Sequence, residues 1–280
     1  MTHPFPGGTS VSHLTVYDWP TTDGAGLVGG GTPHLHTASD EGYVVLSGSG
    51  SVQTLGPEGY AEHPLVAGTL LWFQPGVVHR LVNDGDLEIL VVMSNAGLPE
   101  AGDAIMTFPA DVLADAERYR AAAALPETRA LSTGEVRPPR PAAVGSSYLS
   151  GPAAADSERS SPGLTPGHEG VEVLEAAARA RRDLAVRGFG VLRDRVLAEG
   201  PDVPMSELYD AAALLVREKV PGWQARWDST VRQTTDQTAE ALLALAGGTA
   251  PHLRTARTTS TAPRPGLRHG MCGRLRTWPL

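Results

Sequence analysis

Residues 33–48 read PHLHTASDEGYVVLSG, two histidines one residue apart, then a glutamate and an apolar run. In an extended strand alternate side chains share a face, so His34 and His36 project together, about 7 Å apart, while Leu35 faces away. Glu41 follows the short polar turn at 37–40 and leads the next strand. If the two strands pair as a hairpin, its carboxylate returns to the face of the imidazoles. His79 stands in a second apolar strand, among Val77, Val78, Leu81 and Val82, just after the turn Gln74-Pro75-Gly76. A histidine in such surroundings needs a polar reason to be there. Three imidazoles and a carboxylate form a donor set for one divalent metal ion, and the chemistry of such a site is Lewis-acid or redox catalysis.

The elements that must position these residues are short strands. Strand-like runs fall at 13–19, 33–37, 43–47, 51–55, 69–73, 77–82 and 87–93. Gly29-Gly30-Gly31, Ser47-Gly48-Ser49-Gly50, Gly56-Pro57-Glu58-Gly59 and Asn83-Asp84-Gly85-Asp86 separate them and read as turns. Many short strands with regular turn signals predict an all-β sandwich or barrel. From this pattern we expect a β-barrel domain with its C-terminal extension over 10–109, a short helix over 110–125 and a Pro/Gly/Ser-rich linker over 126–167. A helical bundle is expected over 168–247, with Ser206 as an N-cap and Trp223 and Trp227 in the bundle core, and a flexible basic tail over 248–280. The tail carries Cys272, the single cysteine, read as a free thiol.

Composition excludes several classes. The net charge is -8, and Lys219 is the only lysine, so nothing draws the chain to nucleic acid or to an anionic membrane. One cysteine permits no intramolecular disulfide and no thiolate metal cluster. No apolar run approaches the roughly 20 residues of a membrane span, and the first ten residues lack the basic start and apolar core of a signal peptide. A cytoplasmic location is the default expectation. No G-x-x-x-x-G-K-[ST], no G-x-G-x-x-G after a parallel strand and no G-x-S-x-G appears.

The two histidine-bearing stretches resemble the two motifs of the cupin superfamily. The first, G-x5-H-x-H-x3,4-E-x6-G, is met by His34, His36, Glu41 and Gly48, with Val28 where the leading glycine belongs. The second, G-x5-P-x-G-x2-H-x3-N, is met by Gly68, Gly76, His79 and Asn83, with Gln74 at the proline position and Pro75 after it. The resemblance covers about a third of the chain. It implies a jelly roll, or double-stranded β-helix, with a separate C-terminal helical region, and one divalent transition metal (Fe, Mn, Ni, Co or Zn) held inside the barrel by His34, His36, Glu41 and His79. Tyr43, Gln53, Trp72 and Gln74 are the substrate-pocket candidates. The resemblance further implies a metal-dependent enzyme of dioxygenase or isomerase type acting on a small organic molecule, and a homodimer. The alternatives are a non-catalytic ligand-binding or sensory module and, if the later helices form a helix-turn-helix near Lys219–Trp223, a ligand-responsive regulator.

Overall fold

The computed structural model describes residues 5–126 and 166–279; residues 127–165, most of the segment read as a linker, lie outside the described residues. Eight strands come first: β1 (Ser10–Val16), β2 (Gly29–Gly30), β3 (His34–His36), β4 (Glu41–Gly56), β5 (Gly59–Val66), β6 (Leu70–Phe73), β7 (Val78–Met93) and β8 (Ala104–Met106). Helices α1 (Ala110–Leu113), α2 (Ala116–Ala123), α3 (Pro166–Glu199), α4 (Asp202–Val216), α5 (Val220–Trp227) and α6 (Gln233–Ala246) follow, and then β9 (Arg268–His269) and β10 (Gly273–Thr277). The chain divides into two compact units, Met1–Ala124 with Ala178–Leu280, and Leu125–Ala177. All ten strands belong to the first.

Strands β4 and β7 are the frame. Each runs 16 residues, and they pair antiparallel along their length. The turn-like sequences at 47–50 and 83–86 therefore do not end strands, contrary to their reading as turns. They face each other and bend both strands, with the register shifting between Val45 and Gly50. Bulges take the residues that turns take, Gly and Asx at positive φ, and this is why the two are hard to tell apart by composition. Gly48 (φ +75°) lies so close to the Asp86 carbonyl that any Cβ would overlap it. The Gly56-Pro57-Glu58-Gly59 signal, by contrast, is a true hairpin between β4 and β5.

On either side of the bends the long strands have different neighbours. The first half of β4 pairs β6, and its second half pairs β5. The first half of β7 pairs β2 and β3, its second half β1, and β3 in turn pairs β8. This is the expected jelly-roll layout, two antiparallel faces sharing two bent strands. The inward residues of both halves, among them Leu14, Val45, Val52, Leu65, Leu81 and Ile89, form one apolar core.

The outward side chains of β3, β4 and β7 are apolar too, and apolar strand faces need cover. Leu35, Leu55, Val78 and Ile105 pack in a second core with Phe189 of α3, Leu208 of α4 and Trp223 of α5. The helical region is thus distinct in sequence, while its buried face shares a core with the strands. Helix α4 begins at Asp202, so Ser206 lies inside it and does not cap it. A 3₁₀ turn over 217–219 and a π turn over 228–232 link α4, α5 and α6 with helical dihedrals throughout. A helix-turn-helix needs a sharp turn there, and none exists. No described helix is long and apolar enough to cross a membrane.

The segment expected to be a flexible tail carries β10, which pairs with β1 from Ser12 to Val16. One of its arginines, all of which read as solvated charge, has clear partners. Arg274 bonds Asp18 and lies over the Trp19 ring, itself stacked 3.9 Å from Tyr17. Cys272 is buried at the barrel wall, and Gly31 leaves room for it, since a Cβ at Gly31 would fall 2.8–2.9 Å from Cys272 atoms.

Candidate metal centre

His34 and His36 come from β3, Glu41 is the first residue of β4, and His79 is the second of β7. The register places His34 directly opposite His79. The conditional hairpin between the His34–His36 strand and the Glu41 strand does not form. β3 and β4 both pair with β7, and Glu41 reaches the cluster across the barrel interior. The four side chains are 1–7% exposed, and one ligand atom from each lies within 4.8 Å of all the others.

Each imidazole is anchored through Nδ1. His34 Nδ1 donates to the Thr32 carbonyl (2.8 Å), His79 Nδ1 to the Val77 carbonyl (3.1 Å) and His36 Nδ1 to Asp103 Oδ1 (2.6 Å). Such bonds fix the orientation of each ring and turn its Nε2 toward the others. The His79 ring also lies parallel to Phe73, 4.7 Å between centroids, with Tyr43 edge-on to both. Three Nε2 atoms therefore face one point. His34 Nε2 and His79 Nε2 are 3.2 Å apart, and two lone pairs at that distance repel unless a cation lies between them.

Glu41 completes the set. Its Oε2 lies 2.9 Å from His79 Nε2 and 3.1 Å from His36 Nε2, yet it accepts no well-directed hydrogen bond and is buried. An orphaned carboxylate oxygen among three imidazole nitrogens fits a divalent transition metal. Burial and the neighbouring His79 and His36 hold the His34 imidazole well below its ordinary value. Burial would do the same to His36, but its hydrogen bond to Asp103 and the Glu41 carboxylate push it up to about 10. Burial works to raise Glu41; the charges and contacts of His79 and His36 outweigh it and hold the carboxyl well below the usual range.

The four pocket candidates separate. Tyr43 points into the core beside the cluster, where burial and then Glu41 hold its phenol protonated. Gln53 is on the opposite face of β4, pairs in register with Arg80 and accepts a bond from its guanidinium (3.2 Å), so it does not face the cluster. The strand has passed its bend by then, and alternation counted from Tyr43 fails. Trp72 is 68% exposed, on the outer side of β6. Gln74 lines a cavity of about 760 Å³ that His36 also lines.

Three residues beside the cluster carry no signal in the two motifs. Asp103 lies 67 positions from the histidine it holds. Thr54 is the inward residue opposite His79 on β4. Cys272 Sγ is 3.9 Å from the Thr32 carbonyl that orients His34, and burial, then Glu41, raise its thiol well above the ordinary value.

Fold and site together define a β-barrel protein with an internal three-histidine, one-carboxylate centre. Residues 27–93, which hold all four side chains, match the family model of the cupin domain. Among solved structures, the chain is similar to a proposed sugar phosphate isomerase from Acidithiobacillus ferrooxidans (29% identity over 22% of this chain and 39% of that one, TM-score 0.20). It is also similar to a predicted oxalate decarboxylase from Thermotoga maritima (30%, 24% and 54%, TM-score 0.20) and to the nucleoside dehydratase Pac13 (17%, 36% and 69%, TM-score 0.27). Likenesses this partial transfer no activity. No curated protein matches the chain.

Proposed function

We propose that this chain is a mononuclear metal-dependent cupin enzyme acting on a small organic molecule, of dioxygenase or isomerase type, with His34, His36, Glu41 and His79 as its metal ligands. The convergence of three Nδ1-anchored imidazoles on the orphaned Glu41 Oε2 carries this reading. An iron, manganese, nickel, cobalt or zinc ion there would polarise a substrate oxygen or, for the redox-active metals, activate dioxygen. Around it, Asp103 and the Thr32 and Val77 carbonyls hold the three rings, Phe73 keeps His79 from rotating, and the apolar barrel core excludes water. Tyr43, protonated and buried beside Glu41, offers a hydroxyl that can donate a hydrogen bond at the site. We expect the protein to work in the cytoplasm as a homodimer.

The near-complete burial of the four ligands favours a second reading, a closed metal site in a non-catalytic binding module. Against it stands the His36-lined cavity, which gives a small molecule a way to one ligand. Thermal denaturation of chelator-treated protein tests the metal in both readings. At a metal concentration 100 times the dissociation constant, binding adds about 2.7 kcal/mol, so one of the five ions should raise the midpoint by roughly 5–10 °C. If none of them moves it, the proposed ligand set fails. Oxygen uptake by the loaded protein with candidate substrates then separates enzyme from binding module.

A further inference from the structure

A cavity of the first unit is walled on one side by Leu35–Ala38, the Gln74–Val77 turn and Leu98, and on the other by α4 and α5. At about 760 Å³ it lies within the range of small-molecule sites. Its α4 and α5 wall is Tyr209, Val216, Trp223 and Trp227, together with Ala212, Ala213, Val220 and Gln224. Among the described residues, none that lines it is Asp, Glu, Lys or Arg.

The polar groups on that wall are mostly committed. Trp223 Nε1 donates to the Ala101 carbonyl (3.3 Å) and Trp227 Nε1 to Asn95 Oδ1 (3.0 Å), while Asn95 Nδ2 donates to the Ala38 carbonyl (2.7 Å). Both indoles are thus fixed, leaving their carbon surfaces to the cavity. The Tyr209 hydroxyl differs: it is buried and has no hydrogen-bond partner. Its ring packs on Gly76, where a Cβ would touch it at 3.5–3.6 Å, three residues before the ligand His79. An unmet buried hydroxyl costs free energy until an acceptor arrives.

We infer that α4 and α5 form the substrate-recognition wall of the site, and that the cavity takes a small neutral molecule with an aromatic or apolar body and one acceptor oxygen bonded by Tyr209. The inference rests on the metal reading only for what happens to that molecule at His36. The wall offers fixed aromatic surface and a single donor, which suits a ring bearing a carbonyl or ether. It offers no cation for a phosphate or a nucleotide, so anionic sugar derivatives are disfavoured.

The test uses the full chain, with acetophenone and benzamide as probes, glucose 1-phosphate as the anionic control and binding followed by ligand-observed NMR titration. Both probes should bind the wild type, and glucose 1-phosphate should not. Tyr209→Phe should weaken binding roughly three- to tenfold, the range of one hydrogen bond. Ala213→Trp, at an exposed position on the rim, should fill the cavity and weaken it at least about tenfold while leaving metal content and melting midpoint unchanged. Absence of binding by either probe, equal binding by Ala213→Trp, or tighter binding of glucose 1-phosphate would overturn the inference, and equal binding by Tyr209→Phe would remove the acceptor requirement. Metal-stripped protein should still bind the probes. If the wild type holds no metal yet shows this pattern, the metal reading falls and the recognition wall stands.

Discussion

Replacing Asp103 by alanine should weaken metal binding about 10- to 100-fold while the barrel stays folded. The carboxylate accepts the Nδ1–H of His36 at 2.6 Å and is fully buried, so it sets both the tautomer and the angle of that ring. Partners of this kind typically carry that much of a site's affinity. The neighbouring main chain is held independently, since the Asp103 carbonyl accepts from the Thr37 amide (3.0 Å) and hydroxyl (2.9 Å). Asp103→Asn keeps an acceptor oxygen and should lose about tenfold or less. The readout is competition with a chelator of known affinity, with the melting midpoint of chelator-treated protein as the control. If both variants bind as the wild type does, Asp103 only packs, and the positioning role is wrong.

The second large effect falls on the other side of β7. Arg80 follows His79 and therefore points away from the cluster, into the outer core. It is fully buried, 5.7 Å from the Phe189 ring, and it grips Asp23 through two bonds of 2.6 and 2.9 Å. Gln53 and Thr21 take further guanidinium bonds at 3.2 Å. Asp23→Ala leaves a buried cation without its counter-charge, a change that costs about 3–5 kcal/mol in well-buried pairs. Because Asp23 is 30% exposed, the lower end applies, or roughly 6–12 °C in the melting midpoint. The double variant Asp23→Ala/Arg80→Met should recover much of that loss, because two matched apolar groups replace the pair.

The same pair makes stability depend on acid. Burial tends to raise the Asp23 carboxyl, but the Arg80 hydrogen bonds and charge outweigh it and bring it from 3.8 down to about 2. A depressed carboxyl stabilises the fold above its unfolded value and loses that contribution as pH falls through the folded one. After discounting for solvent screening of the partly exposed carboxyl, the pair should account for a loss of about 1 kcal/mol between pH 4 and pH 2, and the stability of Asp23→Ala should fall by that much less over the same interval. A single variant that melts within about 1 °C of the wild type would rule out this account of Arg80.

The clustering of the four side chains was legible in the sequence because strand alternation fixes which side chains share a face, and His34, His36 and His79 keep to it. The division into many short strands was less so. The Ser47–Gly50 and Asn83–Asp86 runs have turn chemistry, and only the pairing of β4 with β7 shows that they bend strands instead of ending them. Gln53 faces away from the cluster for the same reason: it lies beyond the bend, where the alternation of β4 has shifted. Asp103 was out of reach because a hydrogen-bond partner 67 positions away leaves no local pattern. The tail looked flexible on composition alone. Its Leu275 faces Leu14 across the β1–β10 pair, and the neighbouring Arg274 finds Asp18 and Trp19, which charge counting does not show. The helices were found, but not their attachment, since a helical period cannot tell a self-contained bundle from a cover over Leu35, Leu55 and Val78.

The most direct test of the metal centre is elemental analysis of untagged protein beside a His34→Ala/His79→Ala double variant. The account predicts about one equivalent of iron, manganese, nickel, cobalt or zinc in the wild type and a background level in the variant, with both proteins folded. A wild type that contains none of these metals and takes up none of them on incubation, or a variant that retains the full equivalent, would contradict it.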